Sequence, residues 1–379
     1  MHIAWLGKKS PFCGNVTYGR EVTNALRDRG YQVSFLHFDP TSDPPSAGED
    51  VGQEVSLPCL YKSQLYTLPS PGASQALLQA LRTLRPDVVH ASLTLSPLDF
   101  SLPELCQELG LPLVATFHPP FTARRLNLAS GTQFLTYQLY APCLANYTRV
   151  IVFSQGQLNL LARLGVPEER LMVIPNGVDT RKYTPGTTSL KAELQAACVF
   201  VYQGRIALEK NVEAMLNAWR QADMGSDAKL LMVGNGPLAS SLMSAFGPEQ
   251  GVLWLGFVAQ ESERIRILQG ADVFLLPSLV EGLSLSLLEA MACGLACVAT
   301  DAGADGEALE GGAGIVLDTQ GVTSQLKPLL PMLAEQPEFR QILGHKARQR
   351  VLERYTLEGN LARLEALYTE VCARPQVRA

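Results

Sequence analysis

The sequence predicts an α/β protein made of two doubly wound domains, each with a parallel sheet. Short apolar runs alternate with segments of helical periodicity along most of the 379 residues, which is the pattern of parallel α/β architecture. The series begins again after a turn-rich segment at residues 174–179, and the chain exceeds the ~100–200 residues usual for one domain. We therefore expect domains at residues 1–175 and 176–355, with residues 356–379 forming a helix that packs on the first domain.

The strands and helices of the first domain follow from its apolar pattern. Five apolar runs predict strands at residues 3–6, 33–38, 88–91, 113–117 and 150–153. Helical periodicity between these runs predicts helices at residues 19–29, 74–84 and 102–109. Residues 39–52 contain several prolines, serines and acidic side chains, so we expect a surface loop there.

The second domain repeats the alternation. Its apolar runs predict strands at residues 199–202, 230–233, 253–255, 273–276, 296–299 and 314–317. The chain after Pro328 is mostly helical in pattern and ends in an amphipathic run at residues 357–372. Ligands of doubly wound sheets bind beyond the carboxyl ends of the strands, so we expect the two domains to face each other across a ligand-binding cleft.

Composition excludes several classes of protein. Hydrophobic residues make up 47% of the chain, charged residues 18%, and the net charge is -5, so no basic field indicates nucleic-acid binding. The eight cysteines form no CxxC pair, and Cys293 and Cys297 have no histidine nearby, so we expect reduced thiols and no metal. The first residues resemble a strand rather than a signal peptide, and no apolar run reaches the ~18 residues of a membrane span. We expect a cytoplasmic protein without a transmembrane segment.

Two glutamates mark the most informative segment. Glu281 falls in the loop after the predicted strand at residues 273–276, and Glu289 falls at the start of the helix that follows. A helix N-terminus offers free N–H groups and the positive end of a dipole, which suit a phosphate, and carboxylates beside it can bind sugar hydroxyls. Alternatively, Ser286 and Glu289 form a capping box while Glu281 is a solvated loop residue. The segment alone leaves both interpretations open.

Two other loops after strands carry groups suited to a diphosphate. Gly14 lies in the loop after the first strand, where glycine lets the backbone approach a phosphate closely. Gly204, Arg205 and Lys210 follow the strand at residues 199–202, and two fixed cations can stabilise a departing nucleoside diphosphate. Alternatively, this loop is a solvated charged turn in which Arg205 pairs with a carboxylate.

Further candidates stand at the ends of other strands. His118 ends the run at residues 113–117 and precedes two prolines, so it either contacts a sugar hydroxyl or a developing charge, or only holds the turn. The loops at residues 234–237 and 256–258 contain glycines and either frame a nucleotide base or simply turn the chain.

Taken in order, these loops resemble glycosyltransferase family 4 over essentially the whole chain. The resemblance is carried by Gly14, by Asn176-Gly177, by Gly204-Arg205 with Lys210, and by Glu281 with Glu289 eight residues later. It implies the GT-B fold, in which two Rossmann-like domains face a cleft, the first binding the acceptor and the second the nucleotide sugar. It also implies a retaining transfer that needs no metal and no cofactor, since the UDP-sugar is a substrate.

The resemblance also assigns roles. Arg205, Lys210 and Gly14 would bind the donor diphosphate, Glu289 the ribose, and Glu281 and His118 the transferred sugar. The catalytic set would be His118, Arg205, Lys210 and Glu281. The remaining donor-binding residues would be Gly204, Val258, Gly282, Leu283, Ser284 and Leu285. Many members have a second glycine where Asn15 stands, and a Gly-Phe-Gly-Leu-Pro where residues 282–286 read Gly-Leu-Ser-Leu-Ser, so donor identity is less defined than the family.

A stretch without acidic residues suggests the acceptor. Residues 109–166 contain no Asp or Glu but several arginines, tyrosines and leucines, a mixture that suits an anionic membrane surface. Candidate acceptor or membrane contacts are Asn15, Tyr18, Arg124, Arg125 and Phe134. Alternatively, the segment packs as a core helix with merely exposed arginines.

The segment at residues 7–20 is similar to the cyanobacterial group of digalactosyldiacylglycerol synthases. This resemblance implies galactose transfer from UDP-galactose to monogalactosyldiacylglycerol by a peripheral protein on the cytoplasmic face of a thylakoid or plasma membrane. The alternatives are a family 4 transferase with a soluble sugar or sugar-phosphate acceptor, a nucleotide-sugar epimerase of the same fold, and a nucleotide-sugar-binding module without catalysis.

Overall fold

The structure is a computed structural model that describes residues 1–10, 14–40, 54–64, 66–120 and 128–373. The chain separates into two compact units. The first contains Met1–Pro119, the elements from residue 128 to Pro175, and the chain from Asn360 onward. The second contains Asn176–Gly359. The expected surface loop at residues 39–52 falls mostly outside the described residues.

An eight-stranded sheet forms the first unit, in the order β4-β3-β2-β1-β5-β6-β7-β8. Its strands are β1 (His2–Leu6), β2 (Gln32–Asp39), β3 (Glu54–Lys62), β4 (Thr67–Pro69), β5 (Val88–Ser92), β6 (Leu113–Thr116), β7 (Arg149–Val152) and β8 (Leu171–Val173). The helices are α1 (Gly14–Asp28), α2 (Ala73–Leu84), α3 (Leu98–Glu108), α4 (Leu128–Leu144) and α5 (Gln155–Arg163). All neighbouring strands run parallel except β3 and β4.

A six-stranded parallel sheet forms the second unit, in the order β11-β10-β9-β12-β13-β14. Its strands are β9 (Cys198–Gln203), β10 (Ala228–Val233), β11 (Val252–Gly256), β12 (Val273–Leu276), β13 (Ala296–Thr300) and β14 (Ile315–Leu317). Its helices are α6 (Leu190–Leu194), α7 (Val212–Ala222), α8 (Ala239–Ala245), α9 (Glu261–Gly270), α10 (Leu285–Ala292), α11 (Asp305–Ala308), α12 (Val322–Glu335) and α13 (Pro337–Arg354). This strand order is that of a Rossmann sheet, and the predicted α/β fold class is confirmed.

Helices cover both faces of these sheets, so the central strands read as continuous apolar runs. Every residue of β7, β12 and β13 is buried. Full burial of one large apolar side chain contributes about 1.5–3 kcal/mol. Because burial on both faces favours apolar side chains, continuous apolar runs in the sequence predicted where the central strands lie.

The last helix, α14 (Leu357–Ala373), packs on the first unit through its apolar face. Tyr368 is fully buried there, and its hydroxyl lies 2.6 Å from Nδ1 of His90. The Asn360 amide donates to the Pro175 carbonyl at 2.8 Å. Among the described helices, none combines the length and the apolar composition needed to span a bilayer.

Candidate functional site

The loops after β9 and β12 form the centre of the second unit's candidate site. These strands are neighbours at the point where the strand order reverses, so their carboxyl-end loops lie side by side. Lys210, in the first loop, forms an ion pair with Glu281, in the second. The Ser278 hydroxyl donates to the same carboxylate oxygen at 2.8 Å. Two of the predicted site residues are therefore in direct contact.

Glu281 is not a solvated loop residue. It is only 9% exposed, and the Lys210 side chain beside it is 20% exposed. Removing either partner from a buried pair leaves an uncompensated charge, so a ligand that draws Lys210 away must itself satisfy Glu281. A sugar hydroxyl can do that by donating to the carboxylate.

Arg205 lies in the same loop and forms an ion pair with Glu209. This is the carboxylate pairing that the alternative interpretation expected. Both side chains are about one-third exposed, and ion pairs of that exposure contribute only ~0–1 kcal/mol. A diphosphate can therefore replace Glu209 as the partner of the guanidinium without a large penalty.

Two glycines, Gly234 and Gly236, pack closely against the backbone of the loop that carries Arg205. A Cβ on Gly234 would lie 1.8 Å from the Gly204 carbonyl oxygen, and a Cβ on Gly236 would lie 2.3 Å from that of Ile206. The Ile206 N–H donates to the Asn235 carbonyl at 3.0 Å. The glycines at residues 234–236 thus permit a close backbone approach that shapes the loop before any ligand binds.

Helix α10 begins two residues earlier than the capping-box interpretation expected. Ser284, not Ser286, is its N-cap, and the Ser284 hydroxyl accepts the Leu287 N–H at 3.4 Å. Glu289 consequently lies in the second turn of the helix rather than the first. The prediction of a Ser286–Glu289 capping box is wrong because the chain turns helical at Leu285, which makes Ser286 a helical residue.

Glu289 is surrounded by groups that sequence reasoning missed. The Gln203 amide donates to it at 2.7 Å, and Tyr183 and Arg264 also stabilise its charged form. Burial nevertheless outweighs these groups and raises the pKa of Glu289 to about 7. A buried carboxyl of this kind can accept hydrogen bonds from hydroxyl groups, such as the two hydroxyls of a ribose.

The loop from Glu281 to Ser284 is held by a buried carboxyl. Oδ1 of Asp305 accepts the Ser284 N–H at 2.8 Å, while Oδ2 has no hydrogen-bond partner. Burial, followed by the nearby Glu281 charge, holds the pKa of Asp305 well above its ordinary value. Asp305 stands at a helix start with no motif to mark it, so the sequence offered no signal for this role.

Other contacts fix the backbone of the same loop. The Asn176 amide donates to the Leu283 carbonyl at 2.7 Å, and the Ala304 N–H donates to that of Gly282 at 2.6 Å. The first-turn N–H groups of α10, from Leu285 onward, lack intrahelical acceptors by the nature of a helix start. The predicted donor residues Gly282, Leu283, Ser284 and Leu285 thus form one braced loop.

Val258 belongs to the same neighbourhood through Arg264. The Arg264 guanidinium donates to the Val258 carbonyl at 3.1 Å and stabilises the charged form of Glu289. Val258 is partly buried, whereas the adjacent Phe257 is 60% exposed. The loop expected to frame the base is thereby linked to the carboxylate expected to hold the ribose.

A second group of predicted residues collects in the first unit, where β1 and β5 are neighbours and the strand order reverses. His118 follows β6, and its Nε2 lies 2.8 Å from the Ser92 hydroxyl at the end of β5. Ser92 in turn donates to the Asn15 side-chain carbonyl at 2.8 Å. Asn15 therefore supports His118 through Ser92. Burial, with a smaller effect from Lys8, lowers the pKa of His118 to about 3, so the ring is neutral at physiological pH.

Tyr18, a candidate acceptor or membrane contact, is buried beside His118. It is 7% exposed, its ring packs edge-on against His118 at 5.0 Å, and its hydroxyl lies 3.3 Å from that of Thr116. Burial raises its pKa to about 12. Its helix face turns inward, and a contact of Tyr18 with the acceptor stays a prediction. Gly14, the first residue of α1, is exposed, and its diphosphate contact stays a prediction.

Helix α4, in the acid-free stretch, has both buried and exposed apolar side chains. Tyr137, Tyr140 and Leu144 are buried, whereas Phe134, Leu135 and Leu139 are 39%, 64% and 59% exposed. The helix is thus apolar on its outer face as well as its inner one.

The arginines of that stretch differ from one another. Arg149 is buried and pairs with Glu370 of α14. It is therefore not a surface cation, contrary to the expectation for the arginines of this stretch. Arg163 is exposed. Arg124 and Arg125 lie outside the described residues.

Family models match both units. Residues 14–182 match the model described as Glycosyltransferase Family 4, and residues 197–330 match Glycosyl transferases group 1. The chain carries both domains of a group 1, family 4 glycosyltransferase. The cation–carboxylate cluster at Lys210 and Glu281 lies within the second match.

Relatives of this glycosyltransferase differ in what their names say they act on. An N-acetyl-alpha-D-glucosaminyl L-malate synthase from Bacillus anthracis is 25% identical, with 94% of each chain covered. A GDP-mannose-dependent alpha-(1-6)-phosphatidylinositol dimannoside mannosyltransferase from Mycobacterium tuberculosis is 28% identical, with 67% of each covered. The Anabaena protein HepE, solved with UDP-glucose, superposes with a TM-score of 0.75 at 18% identity over 98% of this chain and 100% of its own. The structural likeness shows the GT-B fold.

No cluster of metal-ligating side chains occurs in the part of the glycosyltransferase that the structure describes.

Proposed function

We propose that this glycosyltransferase moves galactose from UDP-galactose to monogalactosyldiacylglycerol with retention of configuration. The observation that carries the donor part is the ion pair between Lys210 and Glu281 at the strand-order reversal of the second sheet. It joins a cation suited to a phosphate to a carboxylate suited to a sugar. The galactose and galactolipid parts rest on the sequence similarity of residues 7–20.

In this proposal the donor spreads over three neighbouring groups of the second unit. The diphosphate replaces Glu209 as the ion-pair partner of Arg205. It also pairs with Lys210, which then leaves Glu281. The freed Glu281 carboxylate then accepts hydroxyls of the sugar. Glu289, already held by Gln203 and Tyr183, accepts the ribose hydroxyls.

The chemical step needs charge stabilisation more than a nucleophile. As the bond from the sugar to the diphosphate breaks, negative charge develops on the leaving oxygen, which Arg205 and Lys210 stabilise. That oxygen accepts the proton of the acceptor hydroxyl as the new bond forms on the same face. Lys210 bonds Glu281 in the free protein, so Glu281 serves to orient rather than to attack.

The outer face of α4 supports a lipid acceptor. Leu135 and Leu139 are one turn apart and more than half exposed, which suits shallow insertion at a membrane interface. A relative named as a phosphatidylinositol dimannoside mannosyltransferase also supports a glycolipid acceptor. The protein would then be peripheral on the cytoplasmic face of the membrane.

A second candidate is transfer to a small soluble acceptor. It is favoured by the relative named as an L-malate synthase, which matches over 94% of this chain. The two proposals differ in whether the exposed apolar face of α4 is used.

Transfer assays test the donor part. Radiolabelled UDP-sugars are incubated with monogalactosyldiacylglycerol vesicles or with soluble sugar phosphates, with a chelator present throughout. We expect label in a digalactolipid from UDP-galactose, and a loss of about 10²–10³-fold in kcat for Arg205→Ala and Lys210→Ala. Lys229→Ala, a change outside the site, is the matched control.

Other results would redirect or refute the proposal. Label only in soluble sugars would favour the second candidate, and conversion of the UDP-sugar without acceptor would indicate an epimerase. Binding without any turnover would indicate a binding module. Unchanged turnover in the Arg205 and Lys210 variants would refute their roles.

A further inference from the structure

The histidine of the first unit is held by a short chain of hydrogen bonds whose directions can be determined. The Asn15 amide nitrogen donates to the Leu93 carbonyl at 3.2 Å, which fixes how the amide is turned. Its oxygen therefore faces Ser92, whose hydroxyl donates to it at 2.8 Å. The backbone carbonyl of Leu93 thus sets the direction of the whole chain.

The single proton of Ser92 is committed to Asn15. The remaining contact of the Ser92 oxygen, at 2.8 Å from Nε2 of His118, must then be accepted by the oxygen. Nε2 consequently carries the ring proton. In a neutral ring the other nitrogen, Nδ1, has a lone pair and no proton.

The ring is also fixed in place. Tyr18 and Phe153 pack edge-on against it, with centroids 5.0 Å and 5.2 Å away. Among the described residues, no group forms a hydrogen bond with Nδ1 of His118. An oriented acceptor atom, with no partner in the described part of the chain, thus stands at the carboxyl edge of the first sheet, where doubly wound sheets bind ligands.

We propose that Ser92 and Asn15 are positioning residues that hold His118 in the Nε2–H tautomer, so that Nδ1 accepts a hydrogen bond from a sugar hydroxyl. His118 then selects for a hydroxyl donor and rejects a group that can only accept. The inference rests on the proposed function only for naming a sugar as the ligand. It excludes His118 as a general acid at Nδ1, because a neutral ring already protonated at Nε2 offers no proton at Nδ1.

The tautomer can be observed directly. In protein labelled with ¹⁵N-histidine, long-range proton–nitrogen correlation distinguishes protonated from unprotonated ring nitrogens, and comparison with His118→Gln assigns His118 among five histidines. We expect protonated Nε2 and bare Nδ1 in the wild type. Ser92→Ala should lose that preference, Ser92→Thr should keep it, and Ser101→Ala, whose hydroxyl donates to the Leu98 carbonyl at 3.0 Å, should leave it unchanged. A proton on Nδ1 in the wild type, or an unchanged tautomer in Ser92→Ala, would overturn the inference.

Kinetics test the ligand. We expect Ser92→Ala to lower kcat/KM with UDP-galactose about tenfold, and Ser92→Thr to restore it. Among monodeoxy analogues of UDP-galactose and of the acceptor sugar, one should be used equally well by the wild type and Ser92→Ala, because it lacks the hydroxyl that Nδ1 accepts. If every analogue separates the two proteins by the same factor, Nδ1 does not bind a sugar hydroxyl. If His118 is the Nε2–H tautomer but no sugar is transferred, the positioning role stands and the proposed function is refuted. If sugar is transferred but Nδ1 carries the proton, the proposed function stands and the positioning role is refuted.

Discussion

At the scale of single residues, the buried carboxyl of Glu289 makes the folding stability depend on pH. Glu289 has its pKa raised to about 7 by burial, so the folded chain favours the neutral form. The stability from this group is fully present below its ordinary pKa near 4.5 and is lost as the pH rises through about 7. At neutral pH and above, the charged form is retained at a cost to folding.

Glu289→Gln should therefore stabilise the protein at pH 8 and not at pH 4.5. We expect the melting temperature to rise by about 2–5 °C at pH 8, since the amide never ionises. The stabilising effect of added UDP should fall in the same variant, because the ribose hydroxyls lose their carboxylate. Thermal unfolding at both pH values, with and without UDP, measures this.

Glu335→Gln, an exposed change at the end of α12, serves as the control and should alter neither quantity. A Glu289→Gln variant that is less stable than the wild type at pH 8 would show that Glu289 is a structural charge.

Asp305 differs from Glu289 because its contact is internal. Its pKa is raised by burial and by Glu281, and one oxygen accepts the Ser284 N–H. Asp305→Asn keeps a neutral acceptor and should retain wild-type stability and donor KM. Asp305→Ala leaves the Ser284 N–H unpaired and should lose about 1–3 kcal/mol of unfolding free energy, with a raised donor KM. Denaturant unfolding and initial-rate kinetics check both variants, and equal behaviour of the two would contradict the bracing role.

At the scale of elements, the loop between β12 and α10 depends on one close approach. Gly303 has φ +62°, and a Cβ there would lie 2.2 Å from the Glu281 carbonyl oxygen and 2.4 Å from that of Gly282. Gly303→Ala must therefore displace the loop that carries Glu281. We expect a donor KM raised at least about tenfold, measured by initial rates.

Gly311 provides a matched control. It also has a positive φ, +72°, but a Cβ there would meet nothing within 4 Å. Gly311→Ala carries the same backbone strain without the displacement, so it should lower stability and leave the donor KM unchanged. Similar KM values in the two variants would mean that backbone strain, rather than the position of Glu281, sets donor binding.

The sequence located the elements with strong local signals. All eleven predicted strands are present, because central parallel strands are apolar on both faces. It missed β4 and β8, which form the two edges of the first sheet, and β3, which lies next to β4. Strand β3 alternates in burial and contains Pro58, and the other two have three residues each, so none gives a continuous apolar run.

For the site, local motifs predicted which charged side chains take part, but not which residues form hydrogen bonds or ion pairs with them. The Lys210–Glu281 contact joins residues that adjoin in space because β9 and β12 are neighbours, and strand order cannot be read from periodicity. Asp305, Gln203 and Arg264 escaped notice because each acts through a long-range contact. The Ser284 cap was missed because the helix starts two residues earlier than the capping-box pattern indicates.

At the scale of the whole molecule, each unit carries its own polar group where its strand order reverses. The second unit has cations and carboxylates, and the first has a neutral histidine with its supporting hydrogen bonds. The first unit also bears the exposed apolar face of α4. This division fits a protein that binds a charged donor and a weakly polar lipid headgroup.

The proposed membrane contact of α4 can be tested by vesicle binding. Leu135→Ser with Leu139→Ser should reduce co-sedimentation with anionic galactolipid vesicles several-fold without lowering thermal stability, since both side chains are more than half exposed. The control is Ile342→Ser with Leu352→Ser on α13 of the second unit, which removes two exposed apolar side chains elsewhere. Equal loss in both double variants, or no vesicle binding by the wild type at low salt, would refute the lipid-facing role.

The central claim is that the second unit binds a nucleoside diphosphate sugar through the cations that its own glutamates hold in the free protein. Calorimetric titration of UDP-galactose into the wild type and Lys210→Ala, with a chelator present, tests it most directly. We predict binding by the wild type and an affinity at least about tenfold weaker in the variant, since a charged hydrogen bond to phosphate is lost. No binding by the wild type, or equal affinity in the two proteins, would contradict the account.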